Sequence, residues 1–268
     1  MFVFIDLSYL IFHRYYAIVA WSRLSKTEVD VGSIDFNLRL MQGFDQFLKK
    51  IKKKLALTNM STQVYFIKDT SRGLIWRNQI FQEYKMNRCL GSKQQDDNLP
   101  KVFAHVYDVV IPELNKLYGI QYIQVETAEA DDVIAVACEV VRGAKKDVPV
   151  TIISNDNDFV QLHELNIDIM NANLLKIASR FDDEELAYYT LWKVIKGDKS
   201  DNIPAIDKKI GDKTALKLAK NPDMLKKRIE SSDAVAKQFH INSTLIDFKN
   251  IPIDLKEKIS KLVVQKMI

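Results

Sequence analysis

Cysteine and histidine are nearly missing from this 268-residue chain, which has two of the first and four of the second. Two cysteines, Cys89 and Cys138, cannot build a disulfide scaffold, and a reducing compartment is the default expectation. They lie far apart and away from histidine, which argues against a zinc site. So few histidines, with no nucleophile motif, also argue against Ser-His-Asp chemistry. Long apolar runs are absent as well. The opening run Met1 to Ile5 is stopped by Asp6, too short for a signal core, and no stretch reaches the ~18 apolar residues of a membrane span. The expectation is a soluble, intracellular protein.

Net charge is also small, +4. That figure conceals an imbalance. Nine acids stand out, two after apolar runs and seven in three compact motifs, and with those nine of the 35 acids set aside, 39 Lys and Arg dominate what remains. If divalent cations neutralise the nine, the surface suits a polyanionic partner. A solvated lysine-rich surface is the plainer reading of charge alone. The Lys49–Lys54 run reads that way, and Trp21, Trp76 and Trp192 read as ordinary anchors.

Phe2-Val-Phe-Ile-Asp6 has the form of a buried strand ending in an acid. Residues 63–69 and 150–156 repeat it, closing on Asp69 and Asp156, and residues 120–125 form a fourth strand candidate. Helical patterns over 36–57, 101–118 and 130–142 alternate with them. Together they specify an α/β fold with a mostly parallel sheet, whose sites form at the carboxyl ends of the strands. Residues 73–100 break the alternation and read as a basic arch with scattered aromatics. From about 185 onward the chain reads as helical and lysine-rich. The expected division is an α/β unit over 1–184 and a helical unit over 185–268.

Thr127-Ala-Glu129-Ala-Asp131-Asp132 places three acids at a helix start. One or two would complement the helix dipole. Three repel one another and call for a cation, and hard carboxylate oxygens suit Mg²⁺ or Mn²⁺. Asp156-Asn-Asp158 adds two more acids after a strand, without the glycine and distal glutamate of a calcium loop. Gly197-Asp198-Lys-Ser-Asp201-Asn-Ile-Pro204 adds a further pair. Ile210-Gly211-Asp-Lys213-Thr214-Ala reads as a turn into a helix N-terminus, where N–H groups can hold a phosphate oxygen. It lacks the upstream glycine of a Walker A loop.

In order and content these segments resemble the 5′→3′ exonuclease and flap endonuclease family, including the 5′-nuclease domain of bacterial DNA polymerase I and stand-alone phage enzymes. The motifs are Asp6; Asp69 followed by Arg77, Tyr84-Lys85 and Arg88; Glu129-Ala-Asp131-Asp132; Asp156-Asn-Asp158; and residues 197–204. The resemblance covers roughly residues 2–220. It implies a PIN-like sheet flanked by helices, a helical arch and a C-terminal helix–three-turn–helix. It also implies two Mg²⁺ ions, for which Mn²⁺ can substitute, held by Asp6, Asp69, Glu129, Asp131, Asp132, Asp156, Asp158, Asp198 and Asp201. Lys85, Arg88 and Arg77 would stabilise the scissile phosphate. Tyr84, Arg14, Gly211, Lys213 and Thr214 would touch DNA bearing a free 5′ end or flap, or an RNA/DNA hybrid, with the chain acting as a monomer. The family's hairpin glycines are partly replaced in residues 205–211, which argues against its K⁺ site here. Leu7 and Asn157 also depart from the pattern. A PIN-type ribonuclease and a non-catalytic DNA-structure binding protein stand as alternatives.

Overall fold

A computed structural model describes residues 1–56, 62–87, 96–163 and 167–267. Five parallel strands form one sheet in the order β3-β2-β1-β4-β5. They are β1 (Phe2–Asp6), β2 (Gln63–Ile67), β3 (Gln121–Ile123), β4 (Val150–Ile153) and β5 (Ile167–Met170). β1 is central because it is apolar on both faces. Its side chains alternate, so that Phe2 and Phe4 enter one core while Val3 and Ile5 enter the other, as a doubly covered parallel strand requires.

Helices α1 (Leu7–Ser25) and α2 (Ile34–Ala56) cover the second face. They are joined there by α4 (Leu99–His105), a π-helical turn at Val106–Val110 and α5 (Ile111–Tyr118). The first face is covered by α6 (Ala130–Ala144) and by α11 (Ile253–Met267). Between β2 and α4 the described residues include the short α3 (Arg77–Ile80). Beyond the sheet come α7 (Asp183–Lys196), α8 (Asp212–Ala219), α9 (Pro222–Ile229) and α10 (Asp233–Ile246).

The C-terminal region does not form one separate body. Ile195, Ala215, Leu218, Leu225 and Val235 close a small core of their own. In contrast, Leu255, Ile259, Val263 and Met267 of α11 return to the sheet core. Among the described residues no helix is long and apolar enough to cross a membrane.

Chain order places β1 between β2 and β4, so the connections diverge on either side of it. That topological switch point opens a crevice at the carboxyl edge. Asp6 stands at that edge and caps α1, its Oδ1 accepting the Tyr9 N–H at 3.0 Å. α7 is aimed at the same edge and ends on Gly197, at φ +74°. A Cβ there would lie 2.4 Å from backbone atoms of Ile203 and Pro204. Gly197→Ala is therefore expected to cost at least about 2 kcal/mol, read as a lowered denaturant midpoint at unchanged slope.

Candidate active site

A single cleft of about 1140 Å³ lies over the carboxyl edge of the sheet. Asp6, Asp69, Glu129, Asp131, Asp156 and Asp198 line it, together with Lys85 and Lys193. Three of these acids come from strand ends, two from the start of α6 and one from the turn after α7. The fold therefore gathers acids spread over nearly two hundred residues of sequence.

Local hydrogen bonds fix their directions. Asp69 accepts the Ser8 hydroxyl at 2.5 Å and the Ala130 N–H at 2.7 Å. Asp6 accepts the Ser154 hydroxyl at 2.9 Å. Asp156 caps a 3-10 turn through the Asp158 N–H at 2.9 Å. These bonds do not offset the crowding of like charges. Burial, and then Asp69, push Asp6 up to about 7. Burial, followed by Asp156 and Asp6, holds Asp131 well above the usual carboxylate range. Burial also lifts Asp158 to about 6 despite the Lys193 ammonium beside it.

These shifts set a pH dependence. Carboxylates raised on folding bind protons more tightly in the folded chain than in the unfolded one. Their contribution is present below the ordinary carboxylate range and is lost as pH rises through about 6 to 7. In a chelator, the melting temperature should fall as pH climbs through that window. Excess divalent cation should reverse most of the fall.

Glu129 and Asp132 play a different part. Arg77 is only 3% exposed, and its guanidinium reaches Asp132 at 2.7 and 2.9 Å and Glu129 at 2.9 Å. Asp132, fully buried, also accepts the Trp76 indole N–H and the Glu129 N–H, each at 3.0 Å. The Arg77 Nε donates to the Leu245 carbonyl on α10 at 2.8 Å. Asp132 and Arg77 therefore lie beneath the cleft as an inward ion pair, joining α3, α6 and α10. Tyr84 is buried too, and its hydroxyl donates to Glu129 at 2.9 Å and lies 3.2 Å from Asp201. In this arrangement its ring faces the interior rather than the cleft. Burial pushes the Tyr84 phenol well up, and Glu129 adds to the effect.

Lys85 sits at φ +55°, a conformation that L side chains rarely adopt. Its N–H donates to the Asp201 carbonyl at 2.9 Å, and its ammonium rests on Glu129 at 2.5 Å. Asn87 donates to the Lys199 carbonyl and Asn202 to the Glu83 carbonyl, which staples the 83–87 segment to the turn carrying Asp198 and Asp201. Burial would raise the Glu129 carboxyl, but Lys85 and Arg77 outweigh it and hold the carboxyl down. Lys193, on the last turn of α7, bridges Asp158 and Asp198, reaching Asp198 at 2.7 Å. Among the described residues, no three His, Cys, Asp or Glu side chains are drawn close enough to hold an ion by themselves. The two ammonium groups account for part of this, since each engages carboxylate oxygens that a metal would need.

Asp158 and Asp201 sit behind partners at the cleft rather than in its lining, and Arg14, Gly211, Lys213 and Thr214 do not line it either. Arg14 stacks its guanidinium 5.0 Å over the Phe47 ring, and its buried Nε meets no acceptor among the described residues. Gly211, Lys213 and Thr214 are exposed at the start of α8. Arg88 lies outside the described residues. Sequence reasoning missed Lys193. The available signal was a lysine inside the apolar run Leu191-Trp-Lys-Val-Ile195, a place that demands an acidic partner. It also missed Tyr107, whose ring lies 3.8 Å from the Lys68 ammonium and whose phenol is pushed up to about 12 by burial and then by Asp69. The π-helical turn sets Tyr107 at the cleft wall.

Residues 1–190 match the 5′–3′ exonuclease, N-terminal resolvase-like domain. A 5′–3′ exonuclease of Mycoplasmopsis pulmonis (strain UAB CTIP) is 28% identical over 247 residues, covering 88% of this chain and 72% of that one. DNA polymerase I of Bacillus caldotenax is 29% identical over 202 residues, covering 72% of this chain. The aligned part is 21% of that polymerase, so this chain matches only a fraction of the polymerase relatives' length. Among solved structures, bacteriophage T5 5′-exonuclease with bound divalent zinc superposes with a TM-score of 0.67 at 16% identity, covering 98% of both chains. The T5 D15 flap endonuclease in a complex with DNA and metal ions gives 0.66 at 16% identity with the same coverage. At that identity the likeness establishes the fold, a PIN-like parallel sheet flanked by helices.

Proposed function

The chain belongs to the 5′–3′ exonuclease family, and on that premise we propose a structure-specific 5′ nuclease that hydrolyses DNA phosphodiester bonds near free 5′ ends or flaps. One observation carries the reading: acids from three strand ends and a helix start converge on one cleft, where burial, and then mutual repulsion, makes Asp6 and Asp131 hold protons tightly. Such a donor set fits hard divalent cations, of which Mg²⁺ is the natural occupant and Mn²⁺ a substitute. It also fits the metal-bound and DNA-bound T5 relatives.

Asp6, Asp69, Asp131 and Asp156 line the same cleft and would hold one cation, aided by Glu129. Asp158 and Asp198 would hold the other, with Asp156 between the two groups and Asp201 behind. Bound divalent cations supply Lewis acidity to the scissile phosphate and departing 3′ oxygen, and acidify a water for attack. The chain does the rest. Lys85 leaves Glu129 and places its ammonium on the phosphate, where negative charge grows. Arg77 and Asp132 hold Glu129 and the start of α6 in position. Ser8 and Ser154 fix the rotamers of Asp69 and Asp6. The α8 start, with Gly211, Lys213 and Thr214, and Arg14 would meet duplex phosphates without reading sequence. Binding should therefore weaken steeply with salt. Removal of RNA primers during replication or repair fits the same chemistry.

The deciding experiment compares a 5′-flapped DNA duplex with single-stranded RNA, each incubated with Mg²⁺ or with EDTA. Cutting of the flapped duplex that needs Mg²⁺ is expected. Preference for the RNA would favour a PIN-type ribonuclease, and DNA binding without cutting would favour a non-catalytic role. Unchanged cutting after Asp156→Asn with Asp158→Asn would remove those acids from the site.

A further inference from the structure

One basic group inside the cleft has no part in the reaction described above. Lys193 projects from the last helical turn of α7, four residues before the Gly197 cap, and is 8% exposed. It does not reach out to solvent as a phosphate-binding lysine would. Its ammonium lies between Asp158 and Asp198, close to an Oδ oxygen of each. Those are the acids assigned above to the second cation. Lys85 also leans on an acid of the site, but its partner Glu129 receives Arg77 and Tyr84 as well, and so keeps compensation when Lys85 moves. The Asp158–Asp198 half has no arginine beneath it among the described residues. There Lys193 is the principal charge holding two carboxylates together.

We propose that Lys193 is a built-in counter-ion occupying the second-cation half of the cleft, and that it must be displaced from Asp158 and Asp198 before a second divalent ion can bind. The proposal rests on the two-cation reading. A divalent ion of magnesium's size needs carboxylate lone pairs at about 2.0–2.1 Å, and Lys193 engages these same oxygens. An ammonium and a dication cannot share them, because their repulsion at such separations is large in a partly desolvated cleft. The apparent affinity for the second ion is then lowered by the fraction of time Lys193 is seated. Its long flexible stem lets the ammonium withdraw while the helix stays in place. The two halves of the site consequently differ. The Asp6–Asp69–Asp131–Asp156 half has no seated ammonium among the described residues and gains most from a cation, whereas the Asp158–Asp198 half is already neutralised from within. Ion binding should be ordered, with one strong and one weak event, and the chain should tolerate loss of the second ion better than loss of the first.

The test is a Mn²⁺ titration of chelator-stripped protein, following free Mn²⁺ by electron paramagnetic resonance, with no nucleic acid present. The wild-type chain is expected to bind two ions of unequal affinity. Lys193→Met, which keeps the apolar stem and removes the charge, should tighten the weaker event by about tenfold or more and leave the stronger within about twofold. Lys193→Arg should stay close to wild type. In EDTA the Lys193→Met variant should melt below wild type and regain more on adding Mn²⁺. If it does not fold in EDTA, Lys193→Gln serves in the same titration. A weaker event that is unchanged or further weakened in a folded neutral variant overturns the role of Lys193 alone. A wild-type chain that binds fewer than two ions overturns the two-cation reading together with it.

Discussion

Replacing Lys85 by alanine should slow nucleotide release from a duplex 5′ end by about 10²- to 10³-fold, chiefly in kcat. The expectation follows from how the residue is held. Its backbone is locked at φ +55° by the bond to the Asp201 carbonyl, so the side chain leaves a fixed point. Its ammonium rests on Glu129, one of the acids that a cation would claim. Once a cation shares Glu129, the ammonium is released at the cleft wall where a phosphate would lie. A preorganised charge at that position lowers a barrier without needing to strengthen ground-state binding. Lys85→Arg should recover only part of the loss, because a planar fork does not replace a point charge on a four-carbon stem. An unchanged kcat with a raised KM would instead make Lys85 a simple binding contact.

The second large effect is on stability. Asp132→Asn should cost about 3–5 kcal/mol and lower the melting temperature by about 10 °C, equally in Mg²⁺ and in EDTA. Four donors converge on this one buried carboxylate: two from the Arg77 guanidinium, the Trp76 indole and the Glu129 backbone. An amide cannot accept them all, and the guanidinium would keep only part of its compensation. Asp131→Asn should behave in the opposite way in EDTA. It removes an acid whose charged form is disfavoured by burial and then by Asp156 and Asp6, so the metal-free fold should gain stability. Two neighbouring acids would thus have effects of opposite sign. Matching effects would contradict the separation of an inward acid from a cleft-facing one.

That separation also shows where sequence reading reaches its limit. The strands leading to Asp6, Asp69 and Asp156 were legible because a buried parallel strand is a continuous apolar run, although β2 and β4 end at Ile67 and Ile153, a few residues before their acids. The parallel sheet followed from their alternation with helices. Asp131 and Asp132 could not be told apart in the same way. Adjacent helical residues point about 100° apart, so only one of the two can face the cleft, and the motif does not say which. The role of Lys193 was hidden because one partner, Asp158, lies 35 residues away in sequence, while the nearby Asp198 read as a cation ligand. Tyr84 read as an exposed basic-arch aromatic because nothing local indicated that Glu129 and Asp201 would enclose its hydroxyl. Helix α1 was missed because its apolar residues are not confined to one stripe, and β5 because a four-residue strand containing Asp168 carries little pattern.

The account depends on divalent cations balancing the gathered acids. Crystals soaked in Mn²⁺ and measured at the manganese absorption edge test this directly. Anomalous density is expected among Asp6, Asp69, Asp131 and Asp156, with a second, weaker peak beside Asp158 and Asp198 and the Lys193 ammonium displaced. No anomalous density in the cleft at saturating Mn²⁺, with the carboxylates still turned toward one another, would contradict it.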